Sequence, residues 1–329
     1  MKYAVVGTGY WGENHVRVAT ELRDDPDSPV DGVVVCDVDE RRAASIADQF
    51  GLDYVTDTAD LAAMGVDAAT VATPSPTHEP VATDLLADGL DLLVEKPLAL
   101  DGETAWRIVD AADRHDRTLG VGHIFRFHPA LRELKHRIER GDLGDLRYLS
   151  SNRFAFRVPR QTAGALHSLA VHDVDVYRYL LGRDPTEVSA RLDSFVRDDV
   201  DETATLLLGY GDVTGHVSVS WHVPVFGKER HLVAVGSERT AYVDYLQDTT
   251  LEIYDSRFYR DDGAVRRRDE GEQVHELPQR EPLKAEVAEF VDAARGDATF
   301  SAPGEVGARA VDLLDAAQAA DKRGAGIDL

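Results

Sequence analysis

Over the first third of the chain, short apolar runs alternate with stretches of helical spacing. Tyr3–Val6, Gly32–Cys36, Ala68–Ala72, Asp91–Val94 and Thr118–Val121 read as strands, and the segments between them place apolar residues three and four apart, as at Ala43, Ile46, Ala47 and Phe50. Strands separated by helices of this size predict βαβ units and a doubly wound parallel sheet that ends near Gly122. From about Leu146 the period shortens to two. Leu146–Phe156, Glu187–Phe195, Thr203–Tyr210, Val213–Trp221, Arg230–Gly236, Thr240–Tyr245 and Thr250–Tyr254 are candidate strands, joined by turn signals such as Gly211-Asp212 and Gly236-Ser237. Consecutive strands without helices between them predict an open, mainly antiparallel sheet. Helical spacing returns over His167–Leu181, Leu283–Ala294 and Val306–Lys322, and Asp261–Glu272, dense in charge of both signs, reads as a solvated loop. The expected fold class is α/β with two domains, 1–122 and 123–329.

Composition narrows the partners. Among 329 residues, 60 acidic and 36 Lys+Arg side chains give a formal charge of −24, which disfavours nucleic acid and anionic membranes. The acids are 40 Asp to 20 Glu and the bases 6 Lys to 30 Arg, a balance that resembles proteins of salt-in halophiles, where molar salt shortens the Debye length to roughly 3 Å. The single cysteine, Cys36, excludes an internal disulfide and a cysteine-held metal cluster, and no metal site is expected. Met1–Val6 passes straight into a strand without the pattern of a secretion signal, and no apolar run approaches the roughly 18 residues of a membrane helix. A cytoplasmic protein is expected.

Gly7-Thr8-Gly9-Tyr10-Trp11-Gly12 follows the first strand and opens a helix, the context in which G-x-G-x-x-G marks a dinucleotide site of the Rossmann type. Gly7 permits a tight turn, Gly9 lets a pyrophosphate approach the backbone, Gly12 allows close helix–strand packing, and the helix N-terminus offers unpaired N–H groups. Asp37, at the end of the second strand, suits the ribose hydroxyls and would repel a 2′-phosphate, so NAD is expected rather than NADP. Arg41 and Arg42 keep the alternative open, although the following helix is their expected place.

The strand Asp91–Val94 runs into Glu95-Lys96-Pro97, which puts a lysine at the carboxyl edge where parallel sheets bind ligands, with a proline that fixes the turn. This motif, the glycine loop through Glu13-Asn14-His15, Thr73-Pro74-Ser75-Pro76-Thr77-His78, Leu169-Ala170-Val171-His172-Asp173-Val174-Asp175 and Glu281–Glu286 occur in the order of the glucose–fructose oxidoreductase / inositol dehydrogenase / rhizopine-catabolism family. The chain resembles that family over essentially its whole length. The resemblance implies a Rossmann domain followed by an α/β domain with an open sheet, and assembly into dimers or tetramers through that sheet. It implies cofactor contacts from Tyr10, Trp11, Thr73, Pro74, His78, Glu95 and Lys96, with Lys96 beside the reacting hydroxyl and His172 as acid/base. Many relatives place an aspartate four residues before this histidine; here the position is Ser168, which puts an Asp–His dyad in doubt.

The glycine loop and the run Val121–Ala130, with His123 and Arg126, look most like family members acting on nucleotide sugars, especially the 3-dehydrogenases of UDP-N-acetylglucosamine and its uronate. Arg153 and Arg157 fall on one face of a strand, with Arg160 beyond, a set of forked guanidiniums suited to a diphosphate or, alternatively, to the abundant aspartates. The expected substrate site thus includes His123, Arg126, Arg153, Arg157, Ser168 and His172, and the expected reaction is oxidation at C3 of a UDP-N-acetylhexosamine or its uronate. Two other readings stand beside it: a free polyol or aldose dehydrogenase, and a non-catalytic sensor of NAD and sugar.

Overall fold

The computed structural model describes residues 1–159, 163–224, 228–247 and 249–329; Arg160 lies outside the described residues. The first unit comprises Met1–Ile124 and Glu281–Asp312. Its elements are β1 (Lys2–Val6), α1 (Tyr10–Arg23), β2 (Gly32–Cys36), α2 (Glu40–Phe50), β3 (Asp53–Val55), α3 (Ala59–Ala63), β4 (Ala68–Val71), α4 (His78–Ala87), β5 (Asp91–Val94), α5 (Gly102–His115) and β6 (Leu119–Val121). The strands pair in parallel in the order β3-β2-β1-β4-β5-β6, the doubly wound arrangement. Every residue of β4 and β5 is buried, because helices cover both faces. Only β3 escapes the apolar pattern, as a short, exposed edge strand.

The second unit comprises Phe125–Arg280 and Leu313–Leu329. It contains α6 (Pro129–Glu139), β7 (Leu146–Ala155), α7 (Val171–Leu181), β8 (Glu187–Asp193), β9 (Thr203–Gly209), β10 (Thr214–Ser220), β11 (Lys228–Gly236), β12 (Thr240–Asp244), β13 (Thr250–Asp261) and β14 (Ala264–Glu276). Then come α8 (Pro282–Ala294) of the first unit, α9 (Gly304–Arg323), within which the division falls, and β15 (Ile327–Asp328) of the second. Nine strands form the order β14-β13-β12-β11-β7-β10-β9-β8-β15, antiparallel except for β7 beside β10. Helix α7 covers one face of this sheet: the Tyr177 hydroxyl donates to the His216 carbonyl at 2.6 Å, and a Cβ on Gly215 would lie 2.9 Å from the Tyr177 ring.

Three expectations change. The stretch 261–272 is not a loop but part of the hairpin β13–β14, turned by Asp262-Gly263 with φ +49° and +81°. Both faces of this edge hairpin are largely solvated, so charges cost nothing on either side and the period-two signal vanishes; Asp-Gly was the signal that remained. Residues 281–312, expected in the second domain, belong to the first unit. The helix expected over His167–Leu181 opens with one wide π-type turn, Leu166–Ala170, before α7 begins. Among the described residues, no helix is long and apolar enough to cross a membrane.

Helix α8 joins the first core through Phe290, fully buried and edge-on to Tyr3 (6.5 Å between centroids) and Phe300 (5.7 Å). Phe290→Ala should therefore destabilise the protein by about 3–5 kcal/mol in chemical denaturation. A loss below about 1 kcal/mol, within the range of surface substitutions, would show that α8 contributes little to that core.

Candidate active site

The glycine loop separates into what the fold requires and what a ligand requires. Gly7 has φ +85°, and a Cβ there would lie 2.8 Å from Thr73; a Cβ on Gly12 would lie 1.8 Å from the Gly7 carbonyl oxygen. The chain's own packing explains both. Gly9 has an ordinary extended backbone (φ −66°, ψ −171°), and a Cβ there would meet nothing within 4 Å. It caps α1 without a side-chain bond, and the first helical hydrogen bond runs from Glu13 N–H to its carbonyl. A glycine that neither backbone nor packing demands, in front of helix N–H groups without intrahelical acceptors, fits a pyrophosphate approaching the backbone.

Asp37 lies at the carboxyl end of β2 and is buried. Its Oδ2 accepts the Thr8 N–H (2.7 Å) and hydroxyl (2.9 Å), and its Oδ1 accepts the Asp39 N–H (2.9 Å). Burial works against ionisation, but the N–H groups of Asp39 and Thr8 outweigh it and hold the carboxyl below its ordinary range. Arg42 sits in the first turn of α2 and reaches Asp37 (3.3 Å) and Asp39 (3.3 Å). An ionised carboxylate that partly occupies the nearest arginine suits ribose hydroxyls and disfavours a 2′-phosphate.

Glu95 is the hub of this unit. Buried at the end of β5, it accepts from the Trp11 indole N–H (2.5 Å) and meets His15 Nε2 (2.9 Å) through Oε1, while Oε2 accepts the Lys96 backbone N–H (3.1 Å). Burial pushes its carboxyl upward, and His15, the nearby Lys96 charge and Trp11 reverse that, leaving it lowered and ionised. Trp11 and His15 are four apart on α1, so one helix face supplies both partners; that spacing was the available signal for His15, which had no assigned role. Gly122 leaves no room for a side chain beside Glu95, since a Cβ would lie 2.9 Å from its Oε1, and His123 follows it, buried. The Lys96–Pro97 peptide bond is cis.

His78 differs from its expected role. Its ring is buried, with Nδ1 against the carbonyls of Pro97 (3.0 Å) and Leu98 (3.2 Å) and Nε2 against that of Thr73 (2.9 Å). With both nitrogens turned to backbone, His78 ties the Thr73–His78 turn to the loop after Lys96, as a positioning residue. Burial lowers its basicity. In that turn Thr73 accepts from the Thr77 hydroxyl (2.9 Å), while Pro74 and Tyr10 are exposed.

In the second unit α7 presents His172, half-buried, with its ring edge-on to Phe125 at 4.9 Å. Two buried carboxylates of the same helix are bound by arginines. Arg126 grips Asp175 through Nε (2.9 and 3.0 Å) and Nη2 (2.6 Å), and Arg153 Nε donates to Asp173 at 2.7 Å. The Arg153 guanidinium also stacks between Phe125 (4.2 Å) and Tyr245 (4.4 Å). Of the arginines expected to meet the substrate, Arg126 and Arg153 are thus each paired with an aspartate, because a carboxylate buried on α7 requires a cation beside it. Ser168 lies in the π-type turn and its hydroxyl donates to the Ala163 carbonyl (3.2 Å), so the i, i+4 geometry assumed between 168 and His172 starts outside the α-helix. The carboxylate at this turn is Asp201, which accepts the Leu166 N–H at 2.6 Å and acts on His167. Arg157 is exposed just past β7.

Two substitutions separate fold from ligand in the glycine loop. Gly12→Ala should cost about 1–3 kcal/mol through overpacking. Gly9→Ala should cost less than about 1 kcal/mol, as at an N-cap, while weakening NADH binding at least tenfold in a fluorescence titration; unchanged binding would remove Gly9 from the cofactor site. For Asp37→Ala, kcat/KM with NAD should fall at least tenfold and the ratio of NADP to NAD use should rise, as steady-state kinetics with the two cofactors would show.

Comparison with known proteins identifies the family. Residues 1–123 match the family described as "Oxidoreductase family, NAD-binding Rossmann fold", and residues 131–242 match the GFO/IDH/MocA C-terminal domain. The UDP-N-acetylglucosamine 3-dehydrogenase of Acidithiobacillus ferrooxidans is 30% identical over 295 residues, covering 89% of this chain and 88% of that protein. Its solved structure superposes with a TM-score of 0.81 at 27% identity, covering 98% of each chain. Inositol 2-dehydrogenase 2 of Saccharopolyspora erythraea is 33% identical over 265 residues, covering 68% of this chain and 74% of that protein. A levoglucosan dehydrogenase solved with NADH shares the fold, with a TM-score of 0.88 at 20% identity, covering 100% of this chain and 98% of that one. The chain therefore belongs to the GFO/IDH/MocA oxidoreductase family, and its first unit carries that family's NAD-binding Rossmann fold.

Proposed function

We propose that this protein oxidises a secondary hydroxyl, at C3 of a UDP-N-acetylhexosamine or its uronate, with NAD as acceptor. The observation that carries the reading is the similarity to the UDP-N-acetylglucosamine 3-dehydrogenase of Acidithiobacillus ferrooxidans over 89% of the chain. Bound NAD supplies the acceptor for the hydride that leaves the carbon. The hydroxyl proton passes to the His172 imidazole, and the Lys96 ammonium donates to the same oxygen as alkoxide charge develops. Glu95 holds the Lys96 backbone, and the paired Asp173 and Asp175 hold the helix that carries His172. Assembly through the open face of the second sheet and a cytoplasm of molar salt belong to the same reading.

A second reading, a free polyol or aldose dehydrogenase, is favoured by the similarity to inositol 2-dehydrogenase and by the engagement of Arg126 and Arg153 with aspartates. Purified protein in molar salt should produce NADH with UDP-N-acetylglucosamine or its uronate and not with inositol or glucose; the reverse pattern selects the second reading, and no NADH with either class refutes both. Lys96→Met should lower kcat by at least a thousandfold while NADH still binds. Turnover within tenfold of wild type would remove Lys96 from the chemistry.

A further inference from the structure

The strands β7 and β11 bring four cations to one end of the second sheet. Arg153 and Arg230 are register partners, and Lys228 pairs with Ala155, one alternation further along the same face. Arg157 continues that alternation past β7, its N–H donating to the Trp221 carbonyl at 3.2 Å. This is the face covered by α7, since Arg153 reaches Asp173 across it. Glu229 and His231, which pair with each other at 3.4 Å, alternate to the opposite face.

Among the described residues, the one ion pair of this cluster is that of Arg153 with Asp173. Among the described residues, the side chains of Arg157, Lys228 and Arg230 form no hydrogen bond or ion pair. Arg153 uses only Nε, and its buried Nη1 and Nη2 have no acceptor although the residue is 1% exposed. Asp173 also acts on Arg230, and burial pushes its own carboxyl upward. Arg230 is brought down to about 10 by burial and by Arg153 and Arg157, with Asp173 opposing, and Lys228 is lowered by Arg230, burial and Arg157. A chain of charge −24 would place carboxylates beside these cations if packing were the only requirement. The cluster also adjoins His172: Arg153 stacks at 4.2 Å on the Phe125 ring, and the His172 ring lies edge-on to that same ring at 4.9 Å.

We propose that Arg157, Lys228 and Arg230, with the Nη groups of Arg153, form an anion subsite that receives the phosphoryl groups of the sugar substrate. The inference rests on the nucleotide-sugar reading and adds two residues, Lys228 and Arg230, that the motifs do not indicate. Forked guanidiniums take phosphate oxygens in pairs, and Lys228 supplies a point charge at the exposed rim.

The test is calorimetric titration of UDP into full-length wild-type protein and into Arg157→Gln, Arg230→Gln and Lys228→Glu. Lys228 is exposed, so its variant leaves the packing alone. Each variant should bind UDP at least tenfold more weakly, with NADH affinity unchanged. The KM for UDP-N-acetylglucosamine should rise by the same factor with kcat within threefold, while kinetics with any neutral sugar that is turned over should not change. Unchanged UDP affinity in the variants, no UDP binding by the wild type, or an equal rise in KM for neutral sugars would each overturn the subsite. Wild type that binds UDP through these residues yet oxidises no UDP-sugar would instead refute the proposed reaction.

Discussion

One buried carboxylate holds the cofactor-binding unit together. Glu95 is shielded from water at the end of a fully buried strand, where an uncompensated charge would cost several kcal/mol. It is compensated by Trp11 and His15 from α1 and by the backbone of Lys96. The partners come from the helix that follows the glycine loop and from the turn that carries Lys96, so one ionised group sets both. His78 repeats the device without charge, joining the turn after β4 to the loop after Lys96 through three carbonyls.

The second unit solves a similar problem with two ion pairs. Helix α7 buries Asp173 and Asp175 against Arg153 and Arg126, and breaking either pair would leave a desolvated charge. The helix that presents His172 is thereby anchored at the residue beside it and three residues on. The contrast between Arg126, gripped by two nitrogens, and Arg153, held by one, separates an internal brace from a brace with donors to spare.

The readable parts of the fold were those where burial leaves a period in the sequence. Fully buried parallel strands appear as apolar runs, and one-sided strands of the second sheet appear as alternation, so β1, β2, β4, β5 and β7–β12 were legible to within a few residues. The exposed strands β3, β14 and the outer half of β13 carry no such period, and only the Asp262-Gly263 turn betrayed the hairpin. The return of α8 to the first core was invisible because an apolar helix face does not say which core it enters; Phe290 between Tyr3 and Phe300 decides it.

The sequence by itself determined the chemistry on offer: a glycine loop at a helix start, Asp37 after the second strand, a lysine after the fifth, and His172 in a helix. These are local signals, set by backbone geometry and residue type within a few positions. Only the tertiary structure decided which charges remain available. Whether an arginine is a brace or a ligand depends on the carboxylate that packing places opposite it, and that partner lies 20 positions away for Arg153 and 49 for Arg126. The same physics gathers Arg230 and Lys228 beside Arg153 and Arg157 through strand register, a relation between β7 and β11 that no spacing along the chain contains.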